Sequence, residues 1–179
     1  MAIGRAKIPV VVDGEILTER LRLRPWRTND APAVRRMFSD PEVGEFVGVR
    51  DTLEVAEELV AGHLEHQAQH GFGQWAAEER ETGELVGEIG LQLLEQTGPE
   101  VEIGWVVARP AWGRGYATEA SRKWLEVGFA ELGLDEIVAV IRRENEASHR
   151  VARRLGMERR GIRHAYGHDL DEYAIARGG

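Results

Sequence analysis

Residues 106–120 read VVARPAWGRGYATEA. Two β-branched residues come first, Gly113 and Gly115 follow, and helix-forming residues end the stretch. This order predicts a strand, a glycine loop and a helix that begins near Gly115. The first N–H groups of such a helix lack partners, its dipole presents positive charge, and glycines let an anion approach the backbone closely. A pyrophosphate suits these properties, although a tight turn explains two glycines equally well. The stretch has neither the Gly-x-Gly-x-x-Gly of dinucleotide sites nor the Gly-Lys-Ser/Thr of nucleotide hydrolases, which disfavours both.

The composition is that of a single acidic domain. The chain has 179 residues, with 31 acidic residues against 23 basic ones, a net charge of −8 and no cysteine. This length predicts one domain over 1–179, with 1–14 as an N-terminal extension. The lack of cysteine excludes disulfides, thiolate metal sites and a cysteine nucleophile, and the acidic balance argues against nucleic acid as a partner. The apolar run near the N-terminus is too short for a signal peptide, and no run of about 18 apolar residues occurs, so we expect a cytoplasmic protein with no membrane partner.

Charge is divided unevenly along the chain. Residues 1–107 carry 20 acidic and 10 basic residues, whereas residues 108–179 carry 11 acidic and 13 basic ones. A chain that binds a polyanion at one end and a cationic substrate at the other is expected to show this division. Solvated faces on opposite sides of a globule explain it as well.

Apolar periodicity predicts seven strands and four helices in the order βααβββαβαββ. The expected strands are 17–25, 73–79, 85–94, 101–108, 137–141, 157–162 and 172–176. The expected helices run from a cap at 28–30 through 38, from 53 to near 71, over 115–132, and from a cap at 145 to 156. This order predicts an α/β domain with a mixed, mostly antiparallel sheet.

Several separated motifs occur in the order of a known family. They are LTERLRLR at 17–24, SDPEV at 39–43, EIGWVV at 102–107, PAWGRGYATEA at 110–120 and NEASHRVARRLGM at 145–157. Together they resemble the GNAT superfamily of acyl-CoA-dependent N-acetyltransferases, and within it the branch similar to the RimJ/RimL ribosomal-protein N-terminal acetyltransferases. The family's loop pattern is Gln/Arg-x-x-Gly-x-Gly/Ala, in which Trp112 here takes the first place, Gly115 the glycine and Ala117 the last. Trp112 stands where the family has a Gln or Arg side chain that could bond the cofactor, so the backbone is expected to make that contact here.

The resemblance implies the GNAT fold and a place for acetyl-CoA. The fold is a sheet of six to seven strands that splays open between its fourth and fifth strands, flanked by about four helices. Pantetheine is then expected in the opening, with its amides bonded by the backbone of Val106, Val107 and Ala108. The pyrophosphate is expected on the N–H groups of Gly113, Arg114, Gly115, Tyr116, Ala117 and Thr118.

The resemblance also assigns residues of the helix that starts near 145. Asn145 is expected to reach the pantetheine arm, with a plain N-cap as the alternative. Arg150, on one helical face with Arg153 and Arg154, is expected at the 3′-phosphate, with a solvated face as the alternative. No metal is implied.

Acetyl transfer to an amine requires a neutral amine, a donor for the oxygen that becomes negative, and a leaving sulfur. Glu102 matches the position where many family members carry a glutamate that takes the amine proton, directly or through water, and partial burial would raise its pKa into a useful range. The alternative is an exposed strand glutamate. A backbone N–H near Val107 is expected to serve the oxygen, and Ser148 or Tyr173 to protonate the thiolate. For Ser148 and Tyr173 the alternatives are a first-turn helix serine and a sheet aromatic.

The histidines and tryptophans are given structural roles. His63, His66 and His70 share one helix face, and we expect that face to be exposed rather than to bind metal. His164 and His168 are expected in a loop near the substrate. Trp26, Trp75 and Trp124 are expected in the core or in pocket walls.

The sequence therefore predicts an acetyl-CoA-dependent N-acetyltransferase. The acceptor is a primary amine, either a protein N-terminal α-amine or a small cationic amine, which attacks directly in a ternary complex. A non-catalytic acyl-CoA-binding module of the same fold and a generic α/β interaction domain are the alternatives. A homodimer is compatible with the resemblance.

Overall fold

The computed structural model describes residues 14–178. The N-terminal extension predicted at 1–14 therefore lies outside the described residues, apart from Gly14. Strands and helices follow one another as β1 (Ile16–Leu17), β2 (Leu21–Arg24), α1 (Ala31–Phe38), α2 (Pro41–Val47), α3 (Leu53–His70), β3 (Gln74–Glu79), β4 (Leu85–Leu93), β5 (Val101–Val107), α4 (Tyr116–Ala130), β6 (Glu136–Ile141), α5 (Glu146–Arg154), β7 (Glu158–Ala165) and β8 (His168–Ala176). Among these residues every helix is too short or too polar to span a membrane.

All eight strands belong to one sheet, in the order β1-β2-β3-β4-β5-β6-β8-β7. Every neighbouring pair is antiparallel except β5 and β6, which run parallel and are bridged only between Glu102 and Val138. Beyond that bridge the two strands diverge towards Val107 and Ile141. The predicted α/β class and the opening between these two strands are both confirmed.

The strand count is eight rather than six or seven because the strand expected at 17–25 is two strands. Thr18 makes the turn, since its N–H donates to Leu21 O at 2.9 Å and its Oγ1 accepts from Leu21 N at 2.9 Å. β1 then folds back on β2, with Ile16 opposite Leu23. The alternating pattern predicts the strand character, but it does not reveal the turn that the Thr18 hydroxyl stabilises between the two strands.

A fifth helix, α2, was not predicted. Asp40 caps it, with its Oδ1 accepting from Glu42 N at 2.9 Å and from Val43 N at 3.4 Å, and Pro41 occupies the first turn. Seven residues contain too little apolar periodicity to be recognised, although the Asp-Pro start signal is present in the sequence.

β7 and β8 extend further than predicted. They form an edge hairpin closed at Tyr166 and Gly167, with Ala165 opposite His168. His164 and His168 therefore lie on strands, and the loop expected there was wrong. Exposed charged residues on an edge hairpin hide the apolar alternation on which the prediction depended.

The sheet separates two apolar layers. Ile89, Leu91 and Ile103 project from β4 and β5 into the layer that contains Trp124 of α4. The opposite layer packs α1 and α3 around Phe38. The predicted burial of the tryptophans is confirmed for Trp26, Trp75 and Trp124. Because side chains alternate along a strand, residues 88, 90, 92, 102 and 104 lie on the face away from Trp124.

Candidate active site

A cleft opens where β5 and β6 diverge, and it has two connected compartments. The strand compartment, about 590 Å³, lies against β4 and β5 and is lined by Glu88, Gln92 and Glu102. The loop compartment, about 670 Å³, lies against the start of α4 and is lined by Gly113 and Gly115. The two share seven lining residues: Glu45, Phe46, Val47, Trp105, Val106, Asn145 and Ser148.

The loop compartment presents main-chain donors. Gly113 and Gly115 have φ of +75° and +82°, a conformation that other residues adopt only with strain, and Gly115 is the N-cap of α4. No hydrogen bond among residues 14–178 engages the N–H groups of residues 113–118, and no side chain caps the helix. A helix of 15 residues with a free first turn places positive charge at this end of the cleft.

Contacts on the far side hold this loop in place. The Tyr116 hydroxyl donates to Glu79, and Arg114 pairs with the same carboxylate at 2.5 Å. Glu119 accepts from Thr18 Oγ1 at 2.6 Å and from Arg20 N at 2.8 Å. The side chain of Arg114 is thereby directed away from the loop compartment, whose walls include Gly113, Gly115, Tyr116, Ala117 and Thr118.

The backbone of β5 is available to a ligand at fewer positions than predicted. Ala108 donates its N–H to Val86 O at 2.8 Å, and the alternation of an antiparallel ladder turns Val106 towards β4 as well. Trp105 and Val107 therefore face the opening. Pairing with β4 engages the Ala108 N–H, and Ala108 O accepts from Ala111 N at 2.9 Å, so of the three residues predicted to bond pantetheine Val107 is the one whose main chain faces the opening.

The start of α5 lies where the compartments meet. Asn145 caps the helix, its Oδ1 accepting from Ser148 N at 3.0 Å, and it lines both compartments. Ser148 Oγ accepts from Trp105 Nε1 at 3.2 Å and also lines both. Arg150 is exposed at the rim of the loop compartment.

Glu102 is a buried carboxylate at the end of the strand compartment where β5 meets β6. Only 5% of the residue is exposed, and burial raises the pKa of its carboxyl despite two donors, the Tyr166 hydroxyl and Gln92 Nε2 at 2.5 Å. A carboxyl with a raised pKa beside a cleft is suited to accept a proton near neutral pH.

Comparison with known proteins identifies the family. The family described as "Acetyltransferase (GNAT) domain" matches residues 20–158. The chain belongs to the GNAT acetyltransferases. An N-acetyltransferase of Bacillus subtilis named YoaA is 32% identical over 169 residues, 89% of this chain and 95% of that protein. A GNAT-family acetyltransferase from Bacillus anthracis is 30% identical, with a TM-score of 0.76 over 91% of this chain and 98% of that one.

The fold likeness extends to the predicted branch. RimL, a ribosomal L7/L12 α-N-protein acetyltransferase solved in complex with coenzyme A, has a TM-score of 0.75 at 21% identity and covers 91% of this chain and 98% of its own. The predicted family is confirmed, and so is the prediction of an acetyl-transferring enzyme, whereas the likeness to RimL is one of fold.

Two tyrosines of this GNAT acetyltransferase lie where the sequence did not place them: Tyr173 is outside the cleft, and Tyr166 is in it. Tyr173 is 4% exposed and lies in the core, its hydroxyl 3.0 Å from His149 Nδ1, and it lines neither compartment. Tyr166, which was not predicted, lines the strand compartment and contacts Glu102. A Tyr-Gly pair is a turn signal, but the sequence gives no indication that this turn reaches β4 and β5.

The α3 face that carries His63, His66 and His70 was expected to be exposed, but all three residues are partly buried. His66 Nδ1 lies 2.9 Å from Phe72 O, and its Nε2 accepts from Leu93 N at 3.1 Å, so the ring is neutral and joins α3 to β4. Burial lowers the pKa of His66. Residues 14–178 contain no group of three or more His, Cys, Asp or Glu side chains placed to hold a metal ion.

Proposed function

We propose that this GNAT acetyltransferase moves the acetyl group of acetyl-CoA to a primary amine, a protein N-terminal α-amine or a small cationic amine, by direct attack in a ternary complex. The observation that carries the proposal is the pairing, in one cleft, of free main-chain donors at the start of α4 with the buried carboxylate of Glu102. The first suits a pyrophosphate and the second an amine proton.

The residues present fit coenzyme A. The N–H groups of residues 113–118 provide donors for the pyrophosphate, and both glycines have conformations that keep side chains out of its way. The divergence of β5 and β6 leaves room for the pantetheine arm, with the main chain of Trp105 facing its amides. Val107 O already accepts from Trp112 Nε1 at 2.7 Å, which leaves the N–H of Val107 for the ligand. Acetyl-CoA supplies an acetyl thioester that is already activated towards an amine.

The protein's own residues then handle protons and charge. Glu102 takes a proton from the attacking nitrogen, directly or through water, because burial favours the neutral form of its carboxyl. The N–H of Val107 donates to the carbonyl oxygen as that oxygen gains negative charge. Ser148, where the compartments meet, donates its hydroxyl proton to the departing sulfur and takes a proton from water in exchange, so that it acts as a relay.

The test is thiol release from acetyl-CoA with a panel of amines, combined with calorimetry of coenzyme A. We expect amine-dependent thiol release above background hydrolysis and measurable binding of coenzyme A. Binding without thiol release from any amine would identify a non-catalytic acyl-CoA-binding module, and no binding would remove the proposal altogether.

A further inference from the structure

Glu88 of β4 is a buried carboxylate without a hydrogen bond. It is 9% exposed and lines the strand compartment, yet no hydrogen bond among residues 14–178 reaches its carboxylate. Its Oε2 lies 3.2 Å from His63 Nε2, but the two atoms do not form a hydrogen bond and neither has another partner there. Its Oε2 is shielded from water without a donor, which is costly, so this carboxylate is suited to a ligand that brings one.

A second buried acceptor lies in the same compartment. Gln74 is 5% exposed, and its Nε2 donates to Gly90 O at 3.1 Å. Its Oε1 is sealed from solvent and has no donor among the described residues. The amide lies against Gly104, where an added Cβ would be 2.7 Å from Nε2. Because both unpartnered groups are acceptors, a fitting ligand must present N–H donors and positive charge.

The register of the strands arranges these groups in a line. Glu88 is opposite Val106, and Gln92 is opposite Glu102, so the two glutamates are four residues apart along the ladder, about 13 Å at roughly 3.3 Å per residue. Between them the paired residues are Gly90 and Gly104, which have no side chains. The Gln74 side chain covers this glycine pair, because its Nε2 donates to Gly90 O and lies 2.7 Å from the Cβ position of Gly104. The wall of the strand compartment between the two carboxylates, which we call the groove, is therefore formed by an amide.

The arginines that line this compartment are engaged elsewhere. The Arg50 guanidinium stacks over the Phe38 ring at 4.6 Å. Arg142 Nη2 lies 2.9 Å from His168 Nε2. Neither contacts Glu88, so among the described residues the ionisable side chain next to this carboxylate is His63, at 3.2 Å.

We propose that this groove selects acceptors with two cationic centres, an unbranched diamine or polyamine, with the reacting amine at Glu102 and a second ammonium at Glu88 and Gln74. The identity of the reacting end rests on the proposed acetyl transfer. The second ammonium rests on the unpartnered acceptors alone, and Glu88 then determines specificity without touching the reacting atoms.

Calorimetry with the full chain saturated with coenzyme A tests the groove independently of turnover. The probes are unbranched diamines of increasing length, each compared with the monoamine of the same carbon number. We expect the best diamine to bind about tenfold more tightly or better than its monoamine, as a buried charge-assisted contact allows. Glu88→Gln should reduce that ratio to within about threefold while leaving monoamine and coenzyme A affinity unchanged. The matched control is Glu84→Gln, which removes the same charge from an exposed side chain outside the cleft and should preserve the ratio.

Glu88→Asp covers the case in which Glu88→Gln does not fold. It keeps the charge but withdraws the carboxylate, so the preference for diamines should persist with its optimum at a greater length. Equal binding of diamines and monoamines by the wild type, or an unchanged ratio in Glu88→Gln with only a lower melting temperature, would show that Glu88 serves His63 and would overturn the inference. Diamine binding that depends on Glu88 without thiol release from any amine would support the groove and refute the acetyl transfer.

Discussion

Glu102→Gln separates the chemistry of the cleft from its architecture. Glutamine has the same shape, and its amide oxygen still accepts from the Tyr166 hydroxyl and from Gln92 Nε2. What the variant loses is the ability to take a proton. We therefore expect coenzyme A to bind with unchanged affinity while turnover falls.

The size of the fall depends on the amine, which makes the prediction specific. An alkyl amine with a pKa near 10.4 is only about one part in a thousand neutral at pH 7.4, whereas an α-amine with a pKa near 7.8 is about one third neutral. Without Glu102 the reaction draws on the neutral amine in solution. The expected loss in kcat/KM is then about 10²–10³-fold for an alkyl amine, within the usual range for a general base, and only a few-fold for an α-amine.

The pH dependence of the same variant has a definite sign. Burial raises the pKa of the Glu102 carboxyl, so between its ordinary and raised values the folded wild-type chain binds more protons than the unfolded chain, and stability falls as pH rises through the raised pKa. Glu102→Gln should therefore be more stable than wild type at neutral pH, and the difference should disappear below the ordinary pKa. Its kcat/KM for the alkyl amine should rise about tenfold per pH unit up to the amine's pKa.

Thiol-release kinetics and urea unfolding across pH check these expectations. Equal losses for the two amines would mean that the variant disturbs binding or folding, and full activity at pH 7.4 would remove Glu102 from the mechanism. A variant less stable than wild type at neutral pH would contradict the argument from burial.

Four further substitutions test other parts of the structure. Tyr166→Phe removes a donor that lowers the pKa of the Glu102 carboxyl, so the acidic limb of the pH–rate profile should move to higher pH, with a stability loss of about 1 kcal/mol in urea. A limb that does not move would show that this hydroxyl has no effect on the pKa of Glu102. Gly90→Ala places a Cβ 2.2 Å from Gly73 O and should destabilise by about 3 kcal/mol or more, whereas Gly62→Ala, in open space on α3, should stabilise by up to about 1 kcal/mol. Gly115→Ala forces a φ of +82° on alanine and should cost about 1 kcal/mol of stability and several-fold in coenzyme A affinity by calorimetry, an outcome that unchanged affinity would refute.

Local signals predicted most of the fold. Helix α3 begins after Thr52 and ends before Gly71 at +79°, where the cap residues indicated. The elements that were missed depend on contacts far along the chain. The β7–β8 hairpin has charged residues at the edge of the sheet, and α2 is fixed mainly by one aspartate and one proline. Neither segment therefore has a clear apolar periodicity in its sequence.

The glycine loop could be predicted, but the acceptor side of the cleft could not. The donors at residues 113–118 belong to one continuous stretch, so the sequence shows them together. Glu88, Glu102 and Tyr166 come from β4, β5 and the turn after β7, and only the sheet register brings them to one cavity. In a sequence, a strand glutamate that faces solvent cannot be distinguished from one that is buried. Glu102 is 5% exposed and accepts from two donors because of how the strands pair, and a single sequence does not show that pairing.

The charge division along the chain does not explain how the cleft binds an anion. The loop compartment is lined by Arg150 and Arg154, but also by acidic side chains, namely Glu42, Glu45, Glu144 and Glu146. Side chains alone would therefore make this compartment unfavourable for a pyrophosphate. The main-chain N–H groups of residues 113–118 and the α4 dipole are then the source of attraction for an anion that contacts them, because they act at short range. The same acidic surroundings favour a cation in the neighbouring strand compartment. One cleft can then receive ligands of opposite charge, because main-chain groups attract the anion and acidic side chains attract the cation.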